Sequence, residues 1–178
     1  VTLEVLDANR ALLGPGDDFT LSQMVSVKSG SNGSRKVNVI VYCEFIDFSE
    51  FSRGYDLGVR LVTPMSYGVP RRQPTDSGPE PQETMFLMAD EAGHITECRH
   101  ANFMFVDDGR IKLPNRKRVL PGISMETVLE LADGEGIEVD EGDYTNYDVY
   151  STDEAFVSGT RFCVLPVATL NGVTVGPK

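Results

Sequence analysis

The stretch Leu120-Pro121-Gly122-Ile123-Ser124-Met125-Glu126-Thr127-Val128-Leu129-Glu130-Leu131 holds the clearest capacity for chemistry in this chain. A Pro-Gly turn delivers the backbone to Ser124, a residue type suited to the N-cap of a helix. Val128, Leu129 and Ala132 then follow at helical spacing, on or near one face. A helix start leaves the N–H groups of its first turn without intrahelical acceptors, and the dipole places positive charge behind them. The N–H groups of Ile123 and Ser124 are therefore a candidate phosphate site. Ordinary helices begin the same way, so the reading depends on what else converges there.

Other chemistry is thinner. Cys43, Cys98 and Cys163 are odd in number and widely spaced, and they lie in apolar or strand-like sequence. That pattern reads as three buried or half-buried free thiols in a reducing compartment, not as a disulfide framework. With only His94 and His100 present, no Cys/His metal pattern exists. Cys98 and His100, two apart in a strand, share a face without forming a nucleophilic pair. Asp17-Asp18 lacks further ligands at loop spacing and reads as a turn. A net charge of −11 argues against nucleic acid as a partner, which needs clustered Lys and Arg. The main basic cluster, Arg116-Lys117-Arg118, reads as a solvated loop or as a local attraction for an anion bound nearby. No apolar run approaches membrane-spanning length, the N-terminus lacks a signal-peptide layout, and the expected location is the cytoplasm. The chain opens on Val1, so its true start is expected upstream.

The elements that must position these groups are mostly strands. Residues 1–13 read as an amphipathic helix stopped by Gly14-Pro15-Gly16. Phe19 to Val27 has strand composition, Lys28–Lys36 reads as a Gly/Ser-rich hairpin or loop, and Val37–Cys43 reads as a buried strand. A polar turn is expected from Ser49 to Gly54, then a strand over Val59–Thr63. Pro70–Gln82 carries four prolines and no large apolar residue and reads as an exposed loop. Strands follow at Glu83–Ala89, Ile95–Cys98 and Ala101–Val106. Asp107-Asp108-Gly109-Arg110 is a tight hairpin signal, with Ile111–Leu113 returning. After the helix at 124–133 come a strand at Ile137–Val139, a helical turn near Tyr147, and strands at Ala155–Val157 and Phe162–Val167 separated by Ser158-Gly159-Thr160. Asn171-Gly172 is a further hairpin signal. The sum is an α+β fold, a barrel-like or folded mixed sheet with a few helices, treated as a single unit over 1–178.

Three stretches, read together, carry a resemblance: Ile95-Thr96-Glu97-Cys98-Arg99-His100-Ala101-Asn102-Phe103-Met104-Phe105-Val106, then Val119–Val128, then Asp153–Thr160 running on to Leu165-Pro166-Val167. In this order and spacing the chain resembles the fold-type IV pyridoxal-phosphate enzymes: branched-chain and D-amino-acid aminotransferases, R-selective amine transaminases and aminodeoxychorismate lyase. The resemblance implies pyridoxal 5′-phosphate as cofactor and an amino acid or amine plus a 2-oxo acid as substrates of the intact family, with a homodimer as the assembly. It places Glu97 beside the pyridine nitrogen, which a carboxylate keeps protonated so that the ring acts as an electron sink. It places the phosphate on the N–H groups of Ile123 and Ser124, with the Thr160 hydroxyl closing the cup.

The departures from the family pattern shape the expected activity. The family's Schiff-base lysine precedes the glutamate by a few tens of residues, but here no Lys lies between Lys36 and Lys112. The loop at 70–82 occupies the interval. Lys112 and Lys117 do not match the family position and read as solvated. The N-terminal small domain with its Arg contact to the phosphate, and the final helix after Val175, are expected to be missing from this stretch. Cys98-Arg99-His100 replaces small residues, so Arg99 either fills the ring's space or points to the other face. The expectation is an aminotransferase-like chain that is inactive as it stands, with no catalytic lysine. The alternatives are a non-catalytic, self-associating remnant with exposed apolar sheet surface, or a lyase of the same fold.

Overall fold

The computed structural model describes residues 2–12, 14, 16–29, 34–64 and 83–176. The loop expected at Pro70–Gln82 lies outside them. The contacts divide the chain into two compact units, Val1–Phe48 and Ser49–Lys178.

The first unit holds α1 (Thr2–Asn9), extended by a 3-10 turn at Arg10–Leu12, and a long hairpin of β1 (Asp18–Ser29) and β2 (Arg35–Ile46). Its register runs unbroken from Asp18 opposite Ile46 to Ser29 opposite Arg35. The segment expected to be a buried strand within Val37–Cys43 is a strand, but it is not buried. Val37, Val39 and Ile40 are each more than half exposed. Composition signalled the pleated backbone, but a hairpin of two strands offers no second layer to cover it.

After a 3-10 turn at Phe48–Phe51 comes the short helix α2 (Ser52–Leu57), where a polar turn is expected from the sequence. Phe51 packs on Phe162, ring centroids 5.5 Å apart, and this apolar contact is what a turn reading missed. Then come β3 (Val59–Val62), β4 (Thr84–Ala89), β5 (Ile95–Cys98), β6 (Ala101–Asp107), β7 (Arg110–Pro114), a 3-10 turn at Arg116–Arg118 and α3 (Ile123–Gly134). β8 (Val139–Gly142), α4 (Asn146–Tyr150), β9 (Glu154–Gly159), β10 (Cys163–Leu170) and β11 (Val173–Thr174) complete the second unit. β10 pairs with β3 and β3 with β4, both in parallel. β4–β5, β5–β6, β6–β9 and β9–β10 are antiparallel. These pairings close a six-stranded barrel of mixed direction, as the fold class predicts. β7 and β8 extend it beyond β6, and β11 beyond β10.

Alternation of side chains assigns the two faces of the barrel wall. Phe103 and Phe105 of β6 point inward with Val59, Leu61, Leu87, Ile95, Val157 and Leu165. Met104, the residue between the two phenylalanines, belongs to a second cluster with Ile111, Leu113, Met125 and Ala132 on the outer side. Met125, Val128, Leu129 and Ala132 recur at helical spacing, so α3 lies on the outer wall through that face. Asn102, two residues before Met104, shares its side and therefore faces the start of α3.

The turns follow their sequence signals. Asp108 and Gly109 both take positive φ (52° and 70°) between the paired Asp107 and Arg110, the geometry of a two-residue hairpin loop. Asn171 and Gly172 do the same between β10 and β11. The expected strand at Ile137–Val139 lies slightly later, at Val139–Gly142. Among the described residues no helix is long and apolar enough to cross a membrane.

The Phe103 ring is 1% exposed inside the barrel. Phe103→Ala is expected to lower the unfolding free energy of this unit by about 3–5 kcal/mol. Urea titration should show a lower midpoint with an unchanged slope.

Candidate functional site

Three strands set the site's polar residues side by side. Glu97 of β5 is the register partner of Asn102 in β6, and Asn102 is the partner of Ser158 in β9. Register partners in a sheet project to the same face, so Glu97, Asn102 and Ser158 form a row on the outer wall, beneath the α3 start. Ser158-Gly159-Thr160 does not separate the two strands as expected. Ser158 and Gly159 belong to β9, and Thr160 alone begins the turn.

Asn102 and Glu97 fasten the approach to α3. The Asn102 amide donates to the Leu120 carbonyl at 2.8 Å and, more weakly, to Glu97 Oε2 at 3.4 Å. Glu97 Oε2 also accepts the Leu120 N–H at 2.8 Å. Both backbone groups of Leu120 are thus held by side chains of the barrel wall. Glu97 is half-buried and anchored, with Oε2 engaged and Oε1 carrying no protein hydrogen bond among the described residues.

The helix begins one residue before the expected cap. Gly122 is the N-cap, with no side-chain cap, and Ser124 lies in the first turn. The reason is steric: a Cβ at Gly122 would run into Asn102 Oδ1, so only glycine lets the chain pass this close to the wall. The first intrahelical bond runs from Glu126 N–H to the Gly122 carbonyl at 3.0 Å. The N–H groups of Ile123, Ser124 and Met125 therefore have no intrahelical acceptor. Beside them, Ser158 is 1% exposed and its Oγ has no hydrogen-bond partner among the described residues. A buried hydroxyl without a partner costs about 1–3 kcal/mol, so its place beneath a row of donors fits a ligand acceptor. Thr160 is exposed just past Gly159, whose own close neighbour is the His100 carbonyl (3.0 Å from a Cβ built there).

The remaining expectations sort clearly. Arg99 and His100 form the exposed β5–β6 turn, His100 with a φ of 67°, so Arg99 is not packed into the core. Cys98 points into the barrel core and His100 out to solvent, which excludes a nucleophilic pair. The thiols are not all covered: Cys98 is buried, Cys43 half-buried and Cys163 exposed. Burial, reinforced by the Glu97 charge, pushes the Cys98 thiol up to about 12. The basic cluster is engaged internally: Arg116 pairs with Glu126, and Arg118 with Asp90 (2.7 Å) and Asp143 (3.1 Å). Lys112, expected to be solvated, is bound to Asp140 at 2.6 Å. That hydrogen bond raises the Lys112 pKa and lowers that of Asp140. An ammonium held this way is a poor nucleophile. Among the described residues no cluster of His, Cys, Asp or Glu could hold a metal ion. Neither Asn102 nor Ser158 stands out in the sequence as a site residue. Their pairing across strands becomes visible only once register is known.

A closed barrel of mixed strands thus carries, on one outer wall, a carboxylate beside a helix start with open N–H groups. Residues 81–170 match the family model Amino-transferase class IV, and the chain belongs to this family. A putative branched-chain-amino-acid aminotransferase of Methanocaldococcus jannaschii is 35% identical over 93 residues, 52% of this chain and 32% of that protein. The chain thus spans about a third of the length of this relative. A solved T.th. branched-chain amino acid aminotransferase complexed with N-(5'-phosphopyridoxyl)-L-glutamate is 33% identical, with a TM-score of 0.50 over 52% of this chain and 31% of that one. The Escherichia coli branched-chain amino acid aminotransferase, 24% identical, covers 97% of this chain and 61% of its own at a TM-score of 0.70, a likeness of fold.

Two outcomes test this geometry. Gly122→Ala should push the Asn102 amide off Leu120 and cost about 1–3 kcal/mol in thermal unfolding. The cost should shrink in the Asn102→Ala background, where the obstructing amide is gone. With a chromogenic disulfide reagent at mildly alkaline pH, Cys163 should react fastest and Cys43 more slowly. Cys98 should react only after denaturant is added.

Proposed function

We propose that this chain is the cofactor-holding part of a pyridoxal-phosphate-dependent aminotransferase-like protein, binding the cofactor without a covalent link and transferring no amino group by itself. The observation that carries the reading is the row of Glu97, Asn102 and buried, unpartnered Ser158 beneath the open N–H groups of α3. The residues present suit the group. The N–H groups of Ile123 and Ser124 donate to a phosphate, and the Thr160 hydroxyl supplies a further donor at the sheet end. Oε1 of Glu97 is left to accept a ring N–H while Oε2 stays on Leu120.

When bound, pyridoxal phosphate supplies an electron sink for the carbanion formed at an amino-acid α-carbon. The chain's own contribution is to bind and orient. Glu97 holds a proton at the ring nitrogen, and its anchor on Leu120 fixes its direction. Asn102 keeps the helix start at the height at which its donors converge. Lys112 offers no free amine for the covalent link, because its ammonium is engaged by Asp140. The substrates we assign to the complete relative are an amino acid or amine and a 2-oxo acid. A homodimer in the cytoplasm, consistent with three free thiols, is the expected setting.

Calorimetric titration with pyridoxal phosphate should give saturable binding, competed by inorganic phosphate. Borohydride treatment should leave no pyridoxyl mass on the protein. Glu97→Gln retains an acceptor for Leu120 but loses the charge, so it should weaken binding roughly ten- to a hundredfold while leaving the fold intact by circular dichroism. Failure of the folded chain to bind would refute the cofactor reading. A lysine-linked adduct that supports transamination would refute the inactive reading.

A further inference from the structure

Within the second unit, Arg118 Nη1 stands where three acceptors meet. It lies 2.7 Å from Asp90 Oδ2, 3.1 Å from Asp143 Oδ1 and 2.9 Å from Nδ1 of the His94 ring. Nη2 adds a contact to Asp143 Oδ2 at 3.3 Å. The ring and the carboxylate are also neighbours, with His94 Nδ1 3.2 Å from Asp90 Oδ2. The side chains of Asp90, His94 and Arg118 are only 24%, 27% and 34% exposed, so the contacts are partly shielded from water.

A guanidinium donates hydrogen bonds and accepts none. The 2.9 Å contact therefore requires a lone pair on Nδ1, with the ring neutral and its proton on Nε2. In that state Nδ1 and Oδ2 are two acceptors facing each other, and the Arg118 N–H groups join them. A second arrangement satisfies the same two atoms. With a proton on Nδ1, the ring itself donates to Oδ2, and a second positive charge stands beside Nη1. The arginine bridge is then redundant and repelled. Histidine is the side-chain type that changes charge between pH 5 and 8.

The other charged groups around the ring leave this choice to the one proton. Asp90 is fixed on the β4–β5 turn, where Oδ1 accepts the N–H groups of Ala92 and His94 at 2.9 Å each. Desolvation pushes its carboxyl up, but the bonds from His94 and Ala92 and the Arg118 charge outweigh this and hold it below its ordinary 3.8. It stays ionised across the range in which a histidine titrates. Asp143, on the segment after β8, accepts from Asn115 Nδ2 at 3.1 Å, and the next residue, Tyr144, receives the Ile95 N–H on its carbonyl. Glu91 of the same turn and Lys117 beside Arg118 are exposed, and Arg116 is paired with Glu126.

We propose that His94 and Arg118 form a proton-operated latch, in which the neutral imidazole keeps residues 115–120 docked on the β4–β5 turn and protonation releases them. Arg118 ends the 3-10 turn, and two residues later Leu120 is held by Glu97 and Asn102. The latch is thus a second hold on the approach to α3, upstream of the first. Its release loosens the Leu120 anchor and the Gly122 cap that set the height of the open N–H groups. The latch stands on its own geometry, and its effect on an anion at the α3 start rests on the cofactor reading.

Amide hydrogen exchange on the full chain, read by NMR at pH 7.5 and 5.5 and corrected for the intrinsic pH dependence, tests it. The Arg118 and Leu120 amides, bonded to the Asn115 carbonyl and to Glu97, should lose protection roughly three- to tenfold at the lower pH. The β6 amides should not change. His94→Asn keeps an acceptor near the place of Nδ1 but takes no proton, so it should stay protected at both pH values. Arg118→Met should show the released state at both. Protection that does not change with pH in the wild type, a loss that persists in H94N, or a loss spread evenly over the barrel would overturn the proposal. Sulfate, whose charge is constant over this range, probes the linked site: its binding should weaken at pH 5.5 in the wild type and not in H94N. Equal binding at both pH values in the wild type would overturn the coupling. A folded chain that binds no sulfate at either pH would refute the cofactor reading, while the exchange result decides the latch.

Discussion

The side-chain amide of Asn102 spans the gap between the barrel wall and the chain that climbs onto α3. Its Nδ2 holds the Leu120 carbonyl, its Oδ1 leaves no space for a Cβ at Gly122, and its register partners are Glu97 and Ser158. In a partly buried setting such a bond is worth about 1 kcal/mol in stability. Its larger effect is positional. By fixing both the segment before α3 and the residue that caps it, Asn102 decides where the free N–H groups of the helix end up relative to the Glu97 carboxylate. The apolar face of Met125, Val128, Leu129 and Ala132 keeps the helix on the wall, and the amide sets its starting point.

Much of this was legible in the chain itself. The Pro-Gly entry to a helix, the spacing of Val128, Leu129 and Ala132, and the two-residue turns at Asp108-Gly109 and Asn171-Gly172 are local signals, and local signals survive into the fold. Glu97 was assigned through resemblance, and its anchoring on Leu120 is a contact between elements that no local pattern encodes. Ser158 was placed in a turn because Gly159 follows it, yet pairing with β6 carries the strand through both. The exposed faces of Val37 and Val39 went unforeseen for a related reason: composition reports that a segment is pleated, but burial depends on a covering layer that composition does not reveal. The N-cap lies two residues before the expected one, because Ser124 is the better capping type whereas closeness to Asn102 demands glycine at Gly122.

The electrostatics of the second unit show how a strongly acidic chain uses its few cations. Arg116 and Arg118 lie just before the candidate phosphate site, where a positive patch would be natural, but both are neutralised by neighbouring carboxylates. What remains at the α3 start is the field of the backbone itself. Lys112 and Asp140 illustrate the same economy between β7 and β8. The carboxylate, with its pKa lowered, contributes above its ordinary 3.8 and loses its contribution as pH falls through the depressed value. The ammonium, with its pKa raised, contributes below its ordinary 10.5 and loses its contribution only as pH rises past the raised one. The pair therefore stays intact across the whole neutral range.

Closure of the barrel depends on β3 meeting β10, with Val59 set beside Val167, residues more than a hundred positions apart. The β6–β7 hairpin joins neighbours only a few residues apart and can form early, with β9 arriving afterwards. The parallel seam at β3 must wait until most of the second unit has been gathered, because loop closure has to be completed before the contact returns any energy. The slow step in acquiring this structure thus belongs to the side of the ring away from the Asn102 anchor. A folding chain would carry an organised helix start and carboxylate while its barrel is still open.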